Sequence, residues 1–180
     1  MTQRFFIFFI VIVFFASCEN DMKKVSQIAS LKEITVETVK DAQTYYSDKG
    51  NLKAQLQAPI MLLYNTKEPY KELPKGVLVL FYDDEQKEDG RLKAKYGISF
   101  DAQQKIIVRN DVEVVNVKGE KLNTEELTWD TKAHILSTDR NVKINTGKEV
   151  LFGEGMTAKE DFSQYKIKHL TGTVKVKNDF

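Results

Sequence analysis

The sequence predicts an all-β protein, a twisted antiparallel β-jellyroll built from repeated strand-turn-strand units of about 30 residues. Three observations predict it. Apolar residues alternate with polar ones over most of the chain beyond Ile34, one strand-and-turn pattern returns three times after Gly90, and no long helical periodicity competes with either. The chain has a single cysteine, so no intramolecular disulfide can form and packing alone must hold the fold.

The first element is an address rather than part of the fold. Arg4 precedes an unbroken apolar stretch from Phe5 to Phe15, followed by Ala16, Ser17 and Cys18. A spanning helix needs about 20 apolar residues, whereas a signal core needs roughly 7 to 15 before small residues. Residues 1–17 therefore read as a lipoprotein signal peptide, with Phe15 where Leu is usual, and Cys18 as the acylated lipid anchor. A short anchor with an incidental thiol is the other reading. Two or three acyl chains hold a protein on a membrane where one binds only marginally. Cleavage removes Arg4, one of 27 basic side chains, and leaves 26 against 26 acidic ones. A balanced chain without a basic block gives no support for nucleic-acid binding.

Residues 18–33 are polar and weakly patterned, and read as a tether with a reach of roughly 50 Å if extended. Val25 to Glu33 also reads as a short helix, because Ile28 and Leu31 are three apart. Residues 34–180 then form one domain. Its strand-like alternation is clearest in Leu52 to Ala58 and returns at Ala94, Tyr96, Ile98 and Phe100, at Val112 and Val114, at Val142 and Ile144, and at Val174 and Val176. Val77 to Tyr82 is apolar on both faces, which fits a strand covered on each side or one face open to an apolar ligand.

The repeats follow. In the first, Gly90 and Leu92 lead through Ile98 and Phe100 to a polar turn Asp101 to Lys105, then Ile106 to Val108, a break, and Asp111 to Val114. In the second, Gly119 and Leu122 lead to Trp129, a turn Asp130 to His134, then Ile135, Leu136 and Asn141 to Ile144. The third runs from Phe152 through Asp161 to Gln164 and closes at Gly172 to Val176. Asp, Asn and Gly sit where the chain must turn. No such unit buries its apolar face alone, so stacked units predict two facing sheets or a folded trough.

Catalytic motifs are scarce. His134 falls in a turn and His169 beside a strand, a poor start for a metal pair. Asp83, Asp84 and Glu85 read as a solvated loop before a cation site. There is no phosphate loop and no G-x-S-x-G elbow, so no catalytic residue, metal or cofactor is assigned. Trp129 beside Asp130 admits two readings, core packing or stacking on a sugar ring.

With the repeats in view, the chain resembles the LptC-type periplasmic proteins of the bacterial lipopolysaccharide-export machine and the related OstA-like repeat, over roughly residues 46–176. The residues that carry the resemblance are Tyr46 to Ala54 leading to Ala58-Pro59, Leu122 to Leu127 before Trp129-Asp130, and Asn141-Val142. Glu72 to Gly76 followed by Val77 to Tyr82 looks most like the Bacteroidota branch. The resemblance implies a carrier rather than an enzyme: an apolar groove for the acyl chains of lipid A, an inner-membrane export ABC transporter docked at the N-terminal edge, and an LptA-type bridge protein paired with the C-terminal edge strand.

The inward positions expected to line that groove are Leu52, Leu56, Ile60, Leu78, Leu80, Ile98, Phe100, Val112, Val114, Trp129, Ile135, Val142, Ile144 and Phe152, and each is equally what a sheet buries as core. The partner edges map to Ala54 and Ala58 and to Thr173, Val174, Lys175 and Val176. Well-known members carry an uncleaved transmembrane helix, whereas this chain looks lipidated. The expected location is the periplasmic side of the cell envelope, with the inner membrane favoured. A glycan-binding or scaffold lipoprotein is the alternative; a scaffold would pack its interior tightly.

Overall fold

The computed structural model describes residues 35–176. The signal peptide 1–17, Cys18, the tether 18–33 with its Val25–Glu33 stretch, and Lys177 and Asp179 lie outside the described residues. Eleven strands follow in order: β1 (Thr35–Asp48), β2 (Asn51–Asn65), β3 (Tyr70–Leu73), β4 (Val77–Tyr82), β5 (Glu88–Ala94), β6 (Tyr96–Phe100), β7 (Lys105–Asn116), β8 (Lys121–Asp130), β9 (Ile135–Asn145), β10 (Glu149–Lys159) and β11 (Tyr165–Lys175). All belong to one antiparallel sheet, the all-β jellyroll-like arrangement that the alternation predicts.

The pairing is simpler than eleven strands suggest. β2 pairs with β4 through Ala54 to Gln57 and with β3 through Leu62 to Tyr64, while β7 pairs with β6 through Lys105 to Arg109 and with β5 through Glu113 to Asn116. β3 and β4 are thus two halves of one long strand interrupted at Pro74 to Gly76, and β5 and β6 are two halves interrupted at Lys95. The sheet is a meander of long strands in sequence order.

Most of the long strands break along one line. Left-handed backbone occurs at Asp41 in β1, Gly76 before β4, Asn110 and Asp111 in β7, and Gly155 in β10. Register shifts fall at the same level in β7, β8 and β10. These bulges bend the strands. The breaks read from sequence at Asp111 and Asn141 are therefore kinks inside β7 and β9, not chain reversals.

The bend folds the sheet onto itself. Tyr46 on β1 is five strands from Trp129 on β8, about 24 Å across the strands at about 4.8 Å per strand, and Phe81 on β4 is three strands, about 14 Å, from it. Their ring centroids nonetheless lie 5.4 and 5.2 Å from the Trp129 ring. Asn116 Nδ2 likewise donates to the Phe162 carbonyl in the β10–β11 turn at 3.1 Å. Only two facing layers allow these contacts.

Turn chemistry sets the reversals. Lys49 and Gly50 both have positive φ, the requirement of a tight two-residue hairpin between β1 and β2. Asp130 Oδ1 accepts from the N–H groups of Lys132 and Ala133, and Asp161 Oδ1 from that of Ser163, so the turn-opening aspartates of the second and third units do the same work. Gln104 and His134, each the last turn residue before a strand, share left-handed backbone.

Candidate functional site

The inner face is a continuous apolar lane. Thr44, Leu56, Val79, Leu92, Val114, Leu122, Ile144, Leu151 and Thr173 lie opposite one another in unbroken register from β1 to β11. At nine bent strands the lane spans roughly 38 Å. Leu56 to Ile144 are buried to 1% or less, while Leu151 is half-buried and Thr173 exposed. The middle is packed, and the apolar face comes into the open at the two edge strands, at Val39 on β1, 38% exposed, and at Leu170 on β11, 59% exposed.

An aromatic rim closes the layers. Trp129 packs edge-on to Tyr46 and Phe81, and its Nε1–H donates to Glu160 Oε2 at 3.0 Å. His134 Nδ1 lies 2.9 Å from the other Glu160 oxygen. Phe162, fully buried, stacks on Tyr165 at 4.9 Å. Burial holds the phenols of Tyr46 and Tyr165 above their usual range. Trp129 is 3% exposed, so neither ring face is open to a sugar; the stacking reading of this residue is corrected to core packing.

The fourteen expected lining positions divide. Leu56, Val112, Val114, Trp129, Val142 and Ile144 are buried on the inner face, and Leu52 lies half-buried at its end. The other seven face outward: Ile60, Leu78, Leu80, Ile98, Phe100, Ile135 and Phe152, the last two 41% and 37% exposed. The inner positions beside them hold Met61, Val77, Val79, Phe81, Gly97, Ser99, Leu136 and Gly153. Sequence reasoning missed Val79, Leu92 and Leu122 in the lane, although their period-2 spacing was readable.

The two free edges of the sheet are β1 and β11. Ala54 and Ala58 are not on an edge: both are buried on β2, beneath β1. Thr173, Val174, Lys175 and Val176 do lie on the exposed C-terminal edge. The edges differ in charge, β1 carrying Glu37, Asp41 and Asp48 against Lys40, and β11 carrying Lys166, Lys168 and Lys175 with no acid.

Polar groups elsewhere serve local structure. Asp83 Oδ1 accepts from the N–H groups of Glu85 and Lys87, Asp84 pairs with Lys53, and Glu85 with Lys87, so the acidic run closes the β4–β5 turn. His169 sits on β11 opposite Glu154. No three His, Cys, Asp or Glu side chains converge as a metal site among the described residues, and no helix there is long and apolar enough to cross a membrane.

The family model described as "Lipopolysaccharide-assembly, LptC-related" matches residues 5–178 of the chain. No curated protein sequence matches it significantly.

Proposed function

The chain belongs to the LptC-related family of lipopolysaccharide assembly, which gives it a role in lipopolysaccharide transport at the cell envelope, and from that premise we propose that it is the periplasmic link of the export bridge. In this reading it takes lipopolysaccharide from the inner-membrane ABC transporter and passes it to an LptA-type bridge protein. It is a carrier and not a catalyst, so nucleotide hydrolysis belongs to the transporter.

The observation that carries the reading is the apolar lane running in register from one free edge to the other. Withdrawing a dozen CH₂ groups from water is worth about 10 kcal/mol. Because the lane is dry from Leu56 to Ile144, acyl chains that enter at the β1 edge advance by parting the layers, towards the β11 end where Leu151, Ile167 and Leu170 are least covered. The rim that resists parting is mainly aromatic contact, which re-forms once the chains leave.

The edges supply the partners. An uncovered strand presents unpaired N–H and C=O groups, which a partner strand can extend. Val176 N–H donates to the Lys148 carbonyl at 2.9 Å. Because antiparallel ladders alternate, Val174 also turns towards β10, and Thr173 and Lys175 present their N–H groups outward. Lys175→Pro should therefore break bridge-protein binding and leave the domain folded. On the membrane side, removal of residues 1–17 and acylation at Cys18 would tether the domain through residues 18–33, the inner membrane being favoured.

The test is photo-crosslinking in cells. A crosslinker at Leu151 or Thr44 is expected to capture lipopolysaccharide, and one at the outward Thr128 is not. Absence of capture at every lane position, with the protein folded and present at normal level, would leave the packed interior as a scaffold and end the carrier reading.

A further inference from the structure

On the face opposite the core, beside the line of kinks, lies an open cleft of about 910 Å³. Its floor is an outer row one residue out of step with the lane: Gln43, Gln57, Leu78 and Lys93, each opposite the next. The row continues to Glu113, and Lys75 and Lys95 enter from the interruptions of the two split strands. Lys95 pairs with Asp111, Arg91 with Glu88 and Glu113 with Lys121, whereas Lys75 and Lys93 enter no ion pair among the described residues. The cleft carries four basic side chains against two acidic ones, Asp41 and Glu113.

We propose that this cleft binds a phosphorylated sugar. Lys75 and Lys93 supply the charge that a phosphate needs, and a charge-assisted hydrogen bond is roughly twice as strong as a neutral one. Gln43 Oε1 already accepts from Tyr45 Oη at 2.9 Å and Gln55 Nε2 at 3.2 Å, which fixes the amide and leaves its NH₂ to meet a sugar oxygen. Gln57 offers a second amide, and half-buried Leu78 an apolar patch for the C–H face of a ring. From Gln43 to Lys93 the floor runs about 14 Å, room for two sugar rings. Asp41 and Glu113 bound the positive zone, which suits a short sugar with one or two phosphates over an extended polyanion.

The proposal rests on the carrier reading and deepens it by assigning the headgroup a place. Ala42 and Thr44 face the interior and Gln43 faces the cleft, so a glycolipid straddling the β1 edge sets its chains on one face and its phosphates on the other.

The experiment is calorimetric titration of the full chain in detergent micelles with an acyl-free glucosamine disaccharide bisphosphate, with its unphosphorylated counterpart and with glucose 6-phosphate. The bisphosphate is expected to bind, the unphosphorylated disaccharide not, and the Lys75→Gln/Lys93→Gln double variant to bind at least about tenfold more weakly. Both lysines are exposed, and a urea midpoint equal to wild type checks that the variant is folded. Binding of glucose 6-phosphate as tight as that of the bisphosphate would keep the site and assign it to soluble sugar phosphates instead of a lipid headgroup. Equal affinity in the double variant, equal binding of the unphosphorylated sugar, or no binding at all would overturn the proposal. The probe has no acyl chain, so its failure together with lipid capture at Leu151 removes the cleft alone and leaves the carrier standing.

Discussion

The two faces of this sheet are built from the same strands and differ by one step along each. The inner row Leu56, Val79, Leu92, Val114, Leu122 and Ile144 is dry, while the outer row Gln57, Leu78, Lys93, Glu113, Asn123 and Lys143 is polar except for one leucine. A period of two puts neighbouring residues on opposite faces, so one stretch of chain can serve an apolar cargo and a charged one without sharing a residue. The comparison also says where substitutions will hurt.

The largest effect is expected on the inner row. Leu122→Ala removes a fully buried side chain, and should lower stability by about 2–5 kcal/mol, read as a shifted urea midpoint at unchanged slope. Trp129→Phe keeps an aromatic ring, though a smaller one, but takes away the donor to Glu160, whose carboxylate then has only the His134 side chain; the expected cost is about 1–3 kcal/mol. Leu80→Ala makes on the outer face the change that Leu122→Ala makes inside. It should cost under about 1 kcal/mol, and a larger loss would show that the outer leucines are core.

The smallest effect depends on pH. Desolvation, then Asp161 and Asp83, hold the Asp89 carboxyl above its usual value. A carboxyl whose folded pKa is raised favours the fold when protonated; that contribution is present below its unfolded value and is lost as pH rises through the folded one. Asp89→Asn should therefore raise the melting temperature slightly at pH 7, and the difference should close below about pH 4. A lower melting temperature at neutral pH would contradict it.

The strands were legible because alternation is a direct print of a half-buried sheet, as at Ala54, Leu56 and Ala58, which are all buried. Facing direction was lost where the rule of apolar inside breaks. Beyond Ala58 the alternation slips at the Asp41–Pro59 kink, so Met61 turns in and Ile60 out. Ile98 and Phe100 look inward by hydrophobicity, yet Gly97 holds the inner position because a Cβ there would come within 3.0 Å of Leu73 Cδ1. Phe152 is displaced in the same way by Gly153, where a Cβ would meet Ile167 at 2.3 Å. Crowding between layers is a property of the folded pair and leaves no mark in either strand alone. The cleft was invisible for a related reason: Gln43, Gln57 and Lys93 are far apart in sequence and meet only through strand register.

The meander has a consequence for how the chain acquires its structure. Each long strand pairs only with its sequence neighbours, so the sheet can zip hairpin by hairpin with little loop-closure entropy, a topology that favours quick folding for a β-protein. The contacts of Trp129 with Tyr46 and Phe81, and of Asn116 with Phe162, are the exceptions that must wait for distant segments. During synthesis β1 to β5 are complete before β8 exists, and their oily face stays bare until Trp129 arrives. The nascent ribbon is thus sticky before the mature domain is, and the aromatic rim marks the moment at which that exposure ends.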